Sequence, residues 1–109
     1  MSHEEYVRRQ RGIAGSIASK VSAGELTCIE GARSISRMGG LDLLADDEDL
    51  QSLRLVDSET ESLPIGAERQ NWAAEALIRR ESDVARAEAW AREVALDAFR
   101  RIAKRFHAV

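Results

Sequence analysis

Apolar side chains recur at helical spacing near the start of the chain. Ser2 and Glu5 have the spacing of a capping box, in which each side chain bonds a backbone N–H that a helix start leaves free. The apolar positions that follow predict a first helix: Tyr6, Ile13, Ala14, Ile17, Ala18 and Val21. Gly12 and Gly15 interrupt this pattern, which indicates either close packing of another helix or a bent stretch.

A second helix is predicted shortly after the first. Ser22 and Glu25 repeat the capping-box spacing, which places its start near Ala23, and Gly39-Gly40 is a stop signal. Its buried face is predicted to contain Leu26, Ile29, Ala32, Ile35 and Met38. Two helices joined by a short connection favour an antiparallel N-terminal helical hairpin.

The middle of the chain has no clear helical repeat. Residues 42–61 contain eight acidic side chains and one arginine, a net charge of −7, and we call them the acidic segment. Within it, Asp46 to Asp49 are expected to be solvated. The stretch from Leu53 to Val56 is the only one that suggests a strand, and the chain offers it no partner. The sequence therefore predicts an extended or loop-like middle, unless this stretch pairs with a second copy.

The last third predicts a long amphipathic helix. Asn71 is a candidate N-cap for a helix from Trp72 to about Arg80, and Ser82-Asp83 either restarts a helix or lies within a continuous one. Further apolar positions share one side of a helical wheel: Val84, Ala87, Trp90, Ala91, Val94, Ala95, Ala98, Phe99, Ile102 and Phe106. This side must be covered by the N-terminal hairpin, by another subunit or by both.

Composition supports a mainly α fold and a single helical domain over residues 1–109. The length suits one domain, and 17 of the apolar residues are alanines, which favour helices that pack closely. Few large apolar side chains then remain in one copy of the chain to build a core.

Charge and hydropathy exclude several classes of protein. A net charge of −3 and a pI near 5.4 do not suit a nucleic-acid-binding protein, because phosphate contacts need a basic surface. The sequence contains no run of about 18 apolar residues, so we expect no membrane span. No apolar stretch follows the basic residues Arg8, Arg9 and Arg11, so we expect no secretory signal. The single cysteine, Cys28, fits a reducing cytoplasmic location.

Candidate catalytic groups are few. Cys28 lies on the apolar side of the second predicted helix, which favours a structural thiol, and His3 and His107 lie near the chain ends. The calcium-binding pattern fails, because Ser52 and Ser58 stand where a loop starting at Asp47 needs glycine and glutamate. We therefore expect a non-enzymatic protein with no metal or cofactor. A hydrolase using Asp57 and Glu59 would require a ligand bound beside them.

The segment from Asp57 to Gly66 is the most motif-like stretch, and its simplest role is an ordered connection, because Asp57, Ser58 and Thr60 can each bond nearby backbone. It resembles a D-S-E-T-x-x-L-P-x-G segment shared by a group of small bacterial proteins. In that group the segment precedes a tryptophan and a long alanine- and arginine-rich C-terminal helix, as Trp72 and the following residues do here. The likeness spans roughly residues 24 to 106. It implies a shared fold and no particular activity.

Two functions fit these features. The first is a protein–protein interaction protein, a helical homodimer, because the long helix has a wide apolar side and one copy has few large core residues. The alternative is an immunity-type inhibitor whose acidic segment masks a basic partner. The candidate partner-binding residues are Asp46, Asp47, Glu48, Asp49, Asp57, Glu59, Trp72 and Trp90.

Overall fold

The chain folds into helices joined by short connections. A computed structural model describes residues 2–39, 47–63 and 72–106, and these residues form four helices and no strand. The helices are α1 (His3–Ser22), α2 (Cys28–Ser36), α3 (Glu48–Thr60) and α4 (Ala74–Arg105). The predicted mainly α fold class is confirmed.

The first helix begins and ends as its sequence dictates. The Ser2 hydroxyl accepts a hydrogen bond from the Glu5 N–H at 3.1 Å, so the serine half of the predicted capping box is confirmed. At the other end Gly24 has φ +82°, and the Glu25 N–H bonds the Lys20 carbonyl at 2.8 Å. This Schellman arrangement satisfies carbonyls that the helix end leaves free, and it favours glycine at the left-handed position.

The predicted start of the second helix at Ala23 is wrong. Ser22 is the last residue of α1, and α2 begins five residues later than predicted, after the N-cap Thr27. Thr27 and Glu30 have the capping-box spacing: the Thr27 hydroxyl accepts from the Glu30 N–H and donates to the Glu30 carboxylate, both at 3.1 Å. Of the predicted apolar face, Ile29, Ala32 and Ile35 are buried in α2. Leu26 and Met38 are half-buried and lie outside the helix, which ends at Ser36 and so before the predicted stop at Gly39-Gly40.

The predicted extended middle is also wrong where the structure describes it. Leu53 to Val56 lies inside α3 and not in a strand. The buried residues Leu50, Leu53, Val56 and Thr60 are three or four positions apart, so they share one helix face, whereas Leu55 is 48% exposed. Residues 42–46, including Asp46, lie outside the described residues.

The long C-terminal helix is continuous. It passes through Ser82 without a break, and Asp83 pairs with Arg80 at 3.5 Å and with Arg86 at 2.6 Å on either side. The helix begins at Ala74 rather than Trp72, with Ala73 as an N-cap that makes no side-chain hydrogen bond. The predicted cap Asn71 lies outside the described residues.

The core forms around the C-terminal half of α4. Its fully buried residues lie between Ala91 and Ile102, and α1, α2 and α3 all contribute side chains to the same cluster. The α1 helix contacts α4 most extensively, and α2 contacts α3 most extensively. The apolar side of α4 is thus covered by the other three helices of the same chain.

Two glycines permit the closest helix contacts. A Cβ atom on Gly15 would lie 2.2 Å from the carbonyl oxygen of Phe106, at the end of α4. A Cβ atom on Gly31 would lie 2.4 Å from a Val21 methyl group and 3.0 Å from the Phe99 ring. Of the two interpretations of Gly15, the structure therefore supports close packing of another helix.

Replacing Gly15 tests this contact. We expect Gly15→Ala to lower the free energy of unfolding by about 1–3 kcal/mol, although alanine is the better helix former, because the new methyl group meets backbone that cannot rotate away. Urea denaturation measures the effect. The exposed neighbour in Ser16→Ala is the control and should change stability by less than about 0.5 kcal/mol. Equal stability of both variants would contradict close packing at Gly15.

Candidate functional site

Part of the acidic segment folds onto the end of α4. The Asp47 carboxylate accepts from the N–H groups of Asp49 and Leu50 at 3.0 and 3.1 Å, which makes it the N-cap of α3. Its other oxygen pairs with Arg105 at 2.5 Å. Asp49 Oδ1 accepts a hydrogen bond from Arg101 Nε at 2.9 Å and also lies 2.9 Å from Arg101 Nη2. The expectation that these two aspartates are solvated is wrong, because both side chains are only 12% exposed.

These contacts change the electrostatics of the acidic segment. The hydrogen bond from Arg105, aided by the backbone donors of α3, lowers the pKa of Asp47. The hydrogen bond and charge of Asp49 raise the pKa of Arg101. Glu48 lies between them on the exposed side of the first turn. Two of the three described carboxylates from 47 to 49 therefore neutralise arginines of the same chain.

The two other described acidic candidates, Asp57 and Glu59, lie on different faces of α3. Asp57 lies near α2, with its Oδ1 atom 3.6 Å from Arg33 Nε and 3.7 Å from Arg37 Nη2, whereas Glu59 is exposed. Two carboxylates that face different surroundings do not form a pair for acid–base work. The structure thus places Asp57 within the fold and only Glu59 on the surface.

The described part of the D-S-E-T segment ties α2 to the end of α3. Arg33, which is only 7% exposed, donates from Nη2 to the Thr60 carbonyl at 2.6 Å. The Thr60 hydroxyl is buried and donates to the Val56 carbonyl at 2.6 Å. Asp57 and Thr60 therefore perform structural tasks: Asp57 pairs its charge with the buried Arg33, and the Thr60 carbonyl, in the last turn of α3, accepts a hydrogen bond from the same arginine. Residues 64–71 lie outside the described residues.

A carboxylate that the sequence did not single out holds the start of α2. Glu88 of α4 accepts from the N–H groups of Cys28 and Ile29 at 2.8 and 3.1 Å. A carboxylate at a helix N-terminus accepts hydrogen bonds from the free N–H groups there, and its negative charge is attracted to the positive end of the helix dipole. Burial, together with the nearby Glu88 charge, raises the pKa of Cys28 to about 11. The thiol therefore stays protonated near neutral pH and is a poor nucleophile, which supports a structural role.

The two tryptophans differ in their surroundings. Trp90 is half-buried and packs against the core cluster, so much of its ring already serves the fold of one chain. Trp72 is also half-buried and lies just before α4. Neither is among the most exposed large apolar residues. Among the described residues, the most exposed large apolar side chain is Ile78, at 71%, which the sequence pattern did not indicate as a binding residue.

The first part of α4 extends beyond the bundle. A helix of 32 residues is about 48 Å long, close to the longest dimension of the molecule, 47 Å, whereas the other two dimensions are 28 and 24 Å. Val84, Ala87 and Trp90 are the first α4 side chains that pack against the core. We call residues 74–83 the α4 arm. No arm side chain is among the described side chains that pack against the core cluster, whereas Ala76, Leu77 and Arg80 are partly buried.

Five exposed residues, four of them small and one the larger Ile78, form a continuous line on this helix. We call the line the outer stripe, and it consists of Ala74, Ile78, Ser82, Ala85 and Ala89. All five positions are exposed and lie three or four residues apart, so they share one face. The outer stripe is the strongest candidate surface for contact with another helix.

Chemical sites are sparse in the described part of the chain. No group of three or more His, Cys, Asp or Glu side chains suited to a metal ion occurs among residues 2–39, 47–63 and 72–106. Within the same ranges, no helix has both the length and the apolarity required to cross a membrane. No protein-family model, curated protein or solved structure matches the chain.

The pairing of Asp47 with Arg105 predicts a pH-dependent stability. Asparagine caps helices as well as aspartate does, so Asp47→Asn removes the charge and keeps the cap. We expect the variant to be less stable by about 1 kcal/mol at pH 7, since Arg105 is partly exposed. Folding lowers the pKa of Asp47 below its usual value of 3.8. The full stability difference between the wild type and the variant is therefore present above pH 3.8, and it declines as the pH falls below that value. Urea denaturation at pH 7 and pH 3 measures it, and an unchanged difference would contradict the ion pair.

Proposed function

We propose that this chain is a non-enzymatic helical protein that acts through protein–protein contacts and forms a homodimer through the outer stripe of α4. The observation that carries the proposal is Ile78, a large apolar side chain left 71% exposed on a helix that extends past its own core. Isolated exposed apolar residues are common, but this one lies within a line of small side chains. That combination is typical of a surface on which another helix packs.

The spacing along the stripe supports a helix as the partner. Ile78, Ser82, Ala85 and Ala89 are separated by four, three and four residues, which is the alternation found at coiled-coil contacts. Small side chains let two helix backbones approach closely, as Gly15 and Gly31 do within the bundle. Covering Ile78 would contribute roughly 2 kcal/mol per copy, and a symmetric contact gains this twice.

The charges beside the stripe support a second copy as the partner. Glu81 and Arg86 are both exposed and lie on either side of the line of small residues. In a pair of identical helices, a glutamate of one copy can bond an arginine of the other at such flanking positions. Arg86 already bonds Asp83 within its own chain, so this added contact is modest. The half-buried Trp72, next to the arm, is a further proposed contact.

The alternative function draws less support from the described contacts. An inhibitor of a basic partner needs free carboxylates, but Asp47 and Asp49 are engaged with Arg105 and Arg101. Glu48 and Glu59 remain exposed. The resemblance carried by the D-S-E-T segment remains a proposal of shared fold, supported by the structural tasks of Asp57 and Thr60. The buried thiol of Cys28 supports the proposed cytoplasmic location.

Sedimentation equilibrium of the full chain tests the homodimer. We expect the wild-type protein, at micromolar concentration, to have about twice the 12.1 kDa mass of one chain. Ile78→Glu should be monomeric, because a carboxylate at the centre of the contact would have to lose its hydration. Circular dichroism should show an unchanged helix content, since glutamate favours helices and Ile78 lies outside the core.

The matched control is Leu55→Glu. Leu55 is an exposed apolar residue on α3, away from the outer stripe, and the same substitution there should leave the dimer intact. A monomeric wild-type protein at every concentration tested would overturn the proposal. So would a dimer that Leu55→Glu dissociates and Ile78→Glu does not.

A further inference from the structure

Charged residues flank the outer stripe of α4 in a definite order. Glu81 comes directly before the stripe residue Ser82, and Arg86 comes directly after the stripe residue Ala85. These two charged side chains therefore lie on opposite sides of the stripe, and both are exposed. They are five residues apart, which is the separation at which flanking side chains of two parallel coiled-coil helices meet.

The direction of the second helix decides which charges meet. In a parallel pair, Glu81 of each copy faces Arg86 of the other, and two-fold symmetry makes this contact twice. In an antiparallel pair, equivalent sides of the two helices face each other. Arg79 and Arg86, which share one side of the stripe, would then meet the same arginines of the other copy, and Glu81 would meet Glu81. Juxtaposed like charges disfavour that arrangement.

The Arg86 side chain is available for a contact with a second copy. It is 78% exposed, and its Nη2 atom donates to Asp83 of the same helix at 2.6 Å. A guanidinium has five N–H donors, so others remain for a carboxylate of the second copy. The bond to Asp83 also restricts the side chain in advance, which reduces the conformational entropy lost when the second contact forms.

The core of each copy leaves room for a parallel partner. Ala87 and Ala91 pack in the core cluster, and they lie two residues after Ala85 and Ala89, which is about 200° around the helix. The two bundles therefore lie on the outer sides of a parallel pair and do not meet across the stripe. The stripe ends at Ala89, because the next position on this face is the charged Arg92.

We propose that Glu81 and Arg86 specify the direction of the second copy, so that the two outer stripes pack parallel and in register. The partner is then selected by charge as well as by shape, since it must present an arginine opposite Glu81 and a glutamate opposite Arg86. This proposal rests on the homodimer proposed above, and a dimer with antiparallel arms would overturn it alone.

Disulfide formation at two stripe positions of the full chain tests the direction. Ser82 and Ala89 are both exposed and are seven residues apart, about 10 Å along the helix. We expect Ser82→Cys and Ala89→Cys each to give a disulfide-linked dimer under mild oxidation, because parallel helices in register bring each position beside its own counterpart. Cys28 is fully buried, so the wild type is the control that should stay unlinked.

An antiparallel pair gives a different result in any single register. If one of the two positions meets its counterpart, the other is separated from its own by about 21 Å along the helix, which a disulfide cannot span. A wild-type dimer in which only one variant cross-links, or neither does, would overturn the parallel arrangement and leave the homodimer standing. A monomeric wild type in sedimentation equilibrium would overturn both proposals.

Reversing one charge tests the role of Glu81. Glu81→Arg should weaken the dimer about tenfold in sedimentation equilibrium at low salt, because both contacts with Arg86 change from attraction to repulsion. In an antiparallel pair this variant would only replace one like-charge contact by another. The matched control Glu59→Arg makes the same charge change on the exposed surface of α3 and should leave the dimer unchanged. Equal dimer affinities of the two variants would overturn the proposal.

Discussion

The close approach of α1 and α2 to the C-terminal half of α4 is the constraint on which the structure depends. It requires positions with almost no side chain: a methyl group on Gly15 would overlap the backbone at the end of α4, and one on Gly31 would overlap a Val21 methyl group and crowd the Phe99 ring. Buried alanines on α4, such as Ala91 and Ala95, extend the same close packing. A chain with few large apolar residues can build a dense core only in this way.

Polar contacts then join the ends of the helices to one another. Glu88 of α4 caps the start of α2, Arg33 of α2 bonds the last turn of α3, and the start of α3 pairs with the end of α4. Each contact satisfies backbone or charged groups that a helix end leaves free. The acidic segment, which the sequence suggests as a binding surface, therefore serves the fold through Asp47, Asp49 and Asp57.

The sequence predicts the helices better than it predicts their ends and their surfaces. Periodicity identifies α1, α2 and the buried side of α4, because a core-facing stripe leaves a clear pattern. It misplaces the start of α2, since Ser22-Glu25 and Thr27-Glu30 have the same spacing and only the packing of α1 decides between them. It also predicts Leu53 to Val56 as extended, because four residues are too few to distinguish the helical repeat of 3.6 residues from the strand repeat of two.

The surfaces were harder to predict because they depend on contacts between distant residues. Nothing in the local pattern pairs Glu88 with Cys28, or shows that α4 passes beyond its core at Ile78. The C-terminal half of α4 packs within the chain, and we propose that the α4 arm packs against a second copy. Hydrogen exchange along α4 at a series of protein concentrations measures this division directly. We predict constant protection for residues 91–102 and protection of residues 74–83 that rises with concentration, whereas equally strong protection of both regions at the lowest concentration would contradict it.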